Sequence, residues 1–434
     1  MLKIKKSVLS PRLTLTHAAT DKFKTGVLSV NLVTRLSAED ASKNALIPMV
    51  LRRGTSTLPD MRSLSEAFDD LYGARIVPMV RKKGERQCIG FFADFADDDY
   101  IPGDEKVLER TTALLGEMLL RPATSGGRLV GEYVESERRN LVDSIRAEIN
   151  NKRAYATSAL LRSMCAEEAY GVNKLGDEKT AVAITAQSLT VQYKKLIETA
   201  RVEVFYIGAA TPERVETAVS AALSGLPKTK VDAVAETDVR LAPPTAEPRR
   251  FTESLDVTQG KLAMGFRIGE AMMAPDYAAI AVFNAIFGGC LTSKLFVNVR
   301  EKLSLCYYAS SAVEKHKGVM IVSSGVEFDN LERAREEILK NLDEIREGEV
   351  SDFELLSAKR AVATSLLAQL DDPRGLEEAC FDQLMAEIPY TPDEFATLAE
   401  MVTREKVVEI ANSVRLDSVY NMLGTGAAAE EVSE

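Results

Sequence analysis

Arg300 and Tyr307 are the two side chains whose types and spacing best suit chemistry in this sequence. They lie seven positions apart in FGGCLTSKLFVNVREKLSLCYYASS, residues 287–311. A guanidinium offers a planar fork of donors, and a phenol offers one further proton. Held by two rigid elements, the pair could grip a peptide carbonyl or a carboxylate. Plainer roles fit the same residues: Arg300 could pair with Glu301, and Tyr307 could simply pack. The surrounding pattern supplies the rigid elements. Gly288 and Gly289 end an apolar helical run, Leu291 to Leu303 reads as a new helix, and Leu305 to Ser311 reads as a strand. Strand alternation sends the neighbouring Tyr308 to the opposite face.

Bulk composition narrows the field. With 434 residues the chain exceeds one ordinary core and implies about two to four domains. An apolar content of 46% and a charged content of 27% are those of a soluble globular protein. The net charge of −11 argues against nucleic acid as a partner, because phosphate binding needs a basic face. The compact basic run Arg81-Lys82-Lys83 precedes Gly84 and reads as a solvated hairpin tip. The five cysteines are scattered and form no CxxC pair, so neither a disulfide framework nor a thiolate zinc site is indicated. A reducing cytoplasm is the expected compartment. The start, MLKIKKSVLS, is basic, but Pro11, Arg12, Thr14 and Thr16 interrupt any apolar core. Neither a signal peptide nor a membrane span is expected.

Taken in order, residues 23–36 alternate as a strand, and Ser37 stands where it could cap a helix running to about Arg52. A second helix spans about Met61 to Tyr72 and stops at Gly73, followed by a hairpin turning at Gly84. Glu105 to Leu120, and most of Leu129 to Ala166, read as helical; Val202 to Ile207 reads as a strand, and Thr211-Pro212 starts a helix. Residues 227–250, with Lys228, Lys230, Asp232, Glu236, Asp238, Pro243, Pro244 and Pro248, lose periodicity and read as a linker. Beyond it the element order repeats. Lys261 to Ile268 and Gly318 to Ser324 are strands, and later helices start at Asp329 with Glu332, Ser351 with Glu354, and Thr391 with Glu394. Gly54 and Gly288 lie 234 positions apart, and Gly73 and Ser304 lie 231 apart. Two landmarks with nearly one offset indicate internal duplication. The expected domains are therefore 1–226 and 251–434, both α+β, each an antiparallel-rich sheet packed with helices. The tail from Gly424 to Glu434 is small and acidic and is expected to fray.

The 287–311 stretch resembles the C-terminal-half signature of the pitrilysin/insulinase family of zinc metallopeptidases, FGG-x-x-S-x-L-F-x-x-x-R-E-x-x-G-L-x-Y. Phe287, Gly288, Gly289, Ser293, Leu295, Phe296, Arg300, Glu301, Leu305 and Tyr307 match, while Ser304 replaces the family glycine. The resemblance covers nearly the whole chain and implies two homologous domains arranged as a clamshell. It also implies that Arg300 and Tyr307 hold the substrate carbonyl and help stabilise the tetrahedral intermediate.

Active members carry HxxEH before a Gly-Thr, two zinc ligands on one helix face with a glutamate base between them. Here Ala45 and Met49 stand at the histidine positions and Pro48 at the base, before Gly54-Thr55. In the pattern that carries the third ligand, Glu137-Arg138 and Val142 fit, but the ligand position falls on Ser144. The chain has two histidines, His17 and His316, neither with a partner at metal spacing. A Ser-His-Asp arrangement lacks its G-x-S-x-G elbow, and Glu132, Glu135 and Glu137 read as helix-surface charge.

The expected function is that of a non-catalytic subunit of a heterodimeric zinc peptidase that processes peptides or small proteins. No cofactor is expected on this chain; zinc and the general base would sit on a partner carrying HxxEH. The pattern looks most like the inactive member of the paired bacterial peptidases. A structural scaffold and a stand-alone peptide-binding protein of the same fold are the alternatives, and the sequence leaves room for a homodimer of the isolated chain.

Overall fold

The computed structural model describes residues 3–228, 231 and 236–425. They form two compact units, and neither is a continuous stretch of chain. The first holds residues 1–146, 172–236 and 369–389; the second holds 147–171, 237–368 and 390–434. This partition departs from a simple division on either side of a linker, because 147–171 joins the second unit and 369–389 joins the first. Lys230 and Asp232 of the expected linker, and the tail after Thr425, lie outside the described residues.

The first unit is built on a six-stranded sheet. Its strands are β1 (Lys3–Ser10), β2 (Leu13–Ala19), β3 (Thr25–Arg35), β4 (Arg75–Lys83), β5 (Arg86–Ala96) and, beyond a two-residue hairpin formed by β6 (Thr124–Ser125) and β7 (Arg128–Leu129), β8 (Arg201–Gly208). Their order is β1-β2-β8-β3-β5-β4. Pro11 and Arg12, read from the sequence as interrupting an apolar core, make the turn of the β1–β2 hairpin. One sheet face, with Leu15, Leu28, Val30, Phe91 and Val204, packs on Leu46 and Val50 of the helix Ala41–Leu51 and Leu115 of the helix Val107–Leu120. The other, with Val27, Phe92, Phe205 and Ile207, is covered by Leu376, Phe381 and Met385 of the helix Pro373–Met385.

The second unit has a five-stranded sheet of β9 (Arg249–Leu255), β10 (Gly260–Arg267), β11 (Cys306–Glu314), β12 (Val319–Val326) and β13 (Arg415–Gly424), ordered β11-β12-β10-β13-β9. Read from β4, the first sheet runs β4-β5-β3-β8-β2, and the two orders correspond strand for strand. The directions correspond too: β8 is parallel to β2 and β13 to β9, and the other pairs are antiparallel. The duplication read from the glycine spacing is therefore a property of the topology. Leu262, Met264 and Phe266 face the core helices, and Ala263 faces Leu160 of the helix Lys152–Met164.

Several local expectations need correction. Arg81 and Lys83 are not a solvated tip: their side chains are about nine-tenths buried and pair with Glu377, Glu378 and Asp382 of the covering helix. Asp40, not Ser37, is the N-cap residue of its helix, and Asn330, not Asp329, precedes the helix Leu331–Arg346. The boxes at Ser351 and Thr391 form as read. Strand β13, which the sequence pattern did not reveal, is interior to its sheet. Asp238 to Arg240 is held on the second unit: Lys317 donates to the Asp238 carbonyl, and Arg240 donates to the Glu167 carbonyl at 3.3 Å.

Candidate functional site

The signature stretch follows the helix Tyr277–Asn284, and its winding is π-helical, over Ala285–Gly289 and again over Leu295–Lys302. An ordinary α-helix was expected there. In the wider turn the Leu303 amide reaches back five residues to the Asn298 carbonyl, at 3.1 Å. Such segments cluster at functional sites. Leu295 and Val299 anchor the helix in the core, which leaves the adjacent Arg300 at the surface. Gly288 has a steric reason: a Cβ there would lie 2.7 Å from the Ser311 amide nitrogen on β11. Ser311 also donates to Asn284 Oδ1 at 2.8 Å, so β11 and the signature turn are tied together.

Arg300 lies over the Phe296 ring, 4.7 Å from its centroid, and its Nε is 3.6 Å from Glu301. Its side chain is 40% exposed. Tyr307 is the extra residue of a β-bulge: Cys306 pairs with Val326 and Tyr308 with Gly325, which leaves Tyr307 without a ladder partner. The side chain is 63% exposed, and its hydroxyl donates to Glu327 Oε1 at 2.6 Å. That bond to a carboxylate raises the phenol's pKa above its ordinary value. Arg300 and Tyr307 thus sit on adjacent elements, Tyr307 hydrogen-bonded to Glu327 and Arg300 within ion-pair range of Glu301. Burial raises the Cys306 thiol, and the Ser324 hydroxyl and the Arg300 charge partly oppose that shift. Tyr308 is half-buried, with the Arg153 guanidinium 4.0 Å from its ring centroid. Glu327, which follows β12 directly, is the site residue that sequence reasoning missed; only the β11–β12 register brings it beside Tyr307.

The positions of the lost zinc motif share the helix Ala41–Leu51. Ala45 is fully buried, Pro48 is buried within the helix and Met49 packs against the same core. Just before them, Asn44 bonds Gln87 at 2.9 Å and Gln192 at 2.7 Å, a buried amide network that offers no ligand set. Ser144 is exposed, and its hydroxyl returns to the Asn140 carbonyl at 2.7 Å. Arg53, four residues after Met49, pairs with Glu137, seven before Ser144, at 2.8 Å. Alanine and proline supply no metal-binding atom, and these residues do not fit zinc.

Residues 183–362 match the family model described as the Peptidase M16 inactive domain. Over 410 residues the chain is 32% identical to the probable inactive metalloprotease YmfF of Bacillus subtilis (strain 168), covering 94% of this chain and 95% of that protein. This chain belongs to the M16 (pitrilysin/insulinase) peptidase family. Solved structures share the fold. A conserved protein from Enterococcus faecalis V583 aligns with a TM-score of 0.87 and 27% identity over 97% of this chain and 98% of that one. The peptidase M16 inactive domain from Pseudomonas fluorescens aligns with a TM-score of 0.78 and 17% identity over 98% and 99% of the two chains. The chain is an inactive M16 metalloprotease homologue. Among the described residues, no helix is long and apolar enough to cross a membrane.

Proposed function

We propose that this M16 chain is the non-catalytic subunit of a two-chain zinc peptidase that processes peptides or small proteins. The observation that carries the reading is a contrast. Arg300 and Tyr307 stand exposed on two anchored elements, whereas Ala45 and Pro48 have become core. A homologous partner with HxxEH would supply zinc and the general base, and Arg300 and Tyr307 would bind the substrate carbonyl and the oxyanion that develops from it. All five cysteines are free, which fits a reducing compartment such as the cytoplasm.

The test is reconstitution with an HxxEH partner. Loss of an oxyanion donor costs roughly a hundred- to a thousand-fold in turnover, about 2.7–4 kcal/mol. Arg300→Ala and Tyr307→Phe are each expected to lose activity on that scale while the heterodimer and its zinc content persist. The isolated, untagged chain is expected to show no stoichiometric zinc by metal analysis. One specific observation favours a second reading, a scaffold without turnover: the Tyr307 hydroxyl already has a protein acceptor in Glu327. Full activity in both mutants, or no activity of the wild-type chain with any partner, would select the scaffold.

A further inference from the structure

The bulge that lifts Tyr307 out of the ladder leaves its ring exposed, so the strand does little to fix where the phenol points. What fixes it is Glu327. That residue follows Val326, whose pairing with Cys306 sets its position, and the next residue, Phe328, packs against the core. A phenol has one proton to donate and an ionised carboxylate can only accept, so the 2.6 Å bond uses the only side-chain donor of Tyr307. A substrate oxygen cannot receive that proton while Glu327 holds it.

We infer that Glu327 is the resting acceptor of Tyr307, from which a substrate carbonyl or carboxylate oxygen must take the hydroxyl over. This rests on reading Tyr307 as a substrate-facing donor. The exchange keeps atoms in balance: no covalent bond changes, and one O–H···O contact replaces another. The site therefore binds substrate more weakly than its donors alone would allow, and removing the Glu327 carboxylate should tighten binding.

Two measurements test this separately. The first uses the isolated chain with ring-labelled tyrosine, the Tyr307→Phe variant identifying the Tyr307 Cζ resonance. Glu327→Gln is expected to move that resonance toward the position of a solvent-exposed tyrosine. An unmoved resonance overturns the inference whatever the chain's partner. The second uses the reconstituted peptidase. Glu327→Ala is expected to lower KM about three- to tenfold with kcat within about twofold, the scale that separates a charge-assisted from an ordinary hydrogen bond. Glu327→Gln, with a neutral acceptor, is expected to fall between. A fall in kcat at constant KM would instead make Glu327 a residue that orients Tyr307 for catalysis, and would overturn the inference. If the resonance moves but Tyr307→Phe leaves peptidase activity intact, the hydrogen bond stands and the displacement fails, while the proposed function falls only if Arg300→Ala is silent as well.

Discussion

At the residue scale, Ser304 shows how a single replacement leaves its trace. Its φ is +51°, in the left-handed region, where the family pattern has glycine and where its counterpart in the first unit, Gly73, has φ +74°. A non-glycine residue there carries a steric cost of roughly 1–2 kcal/mol, while glycine loses about 0.5–1 kcal/mol more in chain entropy on folding. Ser304→Gly is therefore expected to stabilise the protein by up to about 1 kcal/mol, read as a higher urea midpoint at an unchanged m-value. Tyr308→Phe gives a control for the Tyr307 experiments. Its hydroxyl sits near Ser323 without a well-formed hydrogen bond, and the ring's packing under Arg153 is kept, so little change in stability or activity is expected. The matching residues of the signature were legible because they are contiguous in sequence. Glu327 was not, because nothing local distinguishes it from other carboxylates that follow strands.

At the scale of elements, the two sheets receive their covering segments by the same device. Glu377 accepts from both terminal guanidinium nitrogens of Arg81, at 3.0 and 2.6 Å, and also accepts from Ser29. In the second unit Glu168 takes both of those of Arg267, at 3.1 and 2.6 Å, and lies 2.6 Å from Lys317. Burial alone would raise the Glu168 carboxyl, but the bonds and charges of Arg267 and Lys317 outweigh it and hold the pKa below the usual carboxylate value. The lowered folded value means this group adds stability above the unfolded carboxylate pKa. That contribution is lost as pH falls through about 4.3 and on through the lower folded value. Glu168→Gln leaves Arg267 and Lys317 without their shared charge, and the expected cost at pH 7 is about 3 kcal/mol. Denaturant melts across pH should show a shallower acid limb in the mutant than in wild type. The sequence displayed Arg81 and Lys83 only as a basic run, and their burial depends on a helix almost 300 positions away. Hydrophobic periodicity locates a helix but does not say which sheet it covers.

At the scale of the whole molecule, the duplication was readable because strands and turns have local signals, whereas the order of strands in each sheet was not. Unit membership was not, since it is decided by packing between distant segments. The consequence is testable by dissection. Leu376, Phe381 and Met385 bury apolar surface worth about 1.5–3 kcal/mol each, a sum comparable to the net stability of a domain. A fragment of residues 1–236 is therefore expected to aggregate or to bind a hydrophobic dye. The same fragment joined through a flexible linker to residues 369–389 should give a cooperative thermal transition. Limited proteolysis should spare Asp238 to Arg240, which Lys317 and Glu167 hold.

The late position of that covering helix also sets a clock on biosynthesis. Pro389 leaves the ribosome 153 residues after Glu236, and at roughly 5–20 residues per second the interval is about 8–30 s. Throughout it the nascent first unit presents Val27, Phe92, Phe205 and Ile207 uncovered. Its folding is completed only late in synthesis although its sheet is made first, and a chaperone that holds exposed apolar surface on the nascent chain would have its longest engagement there.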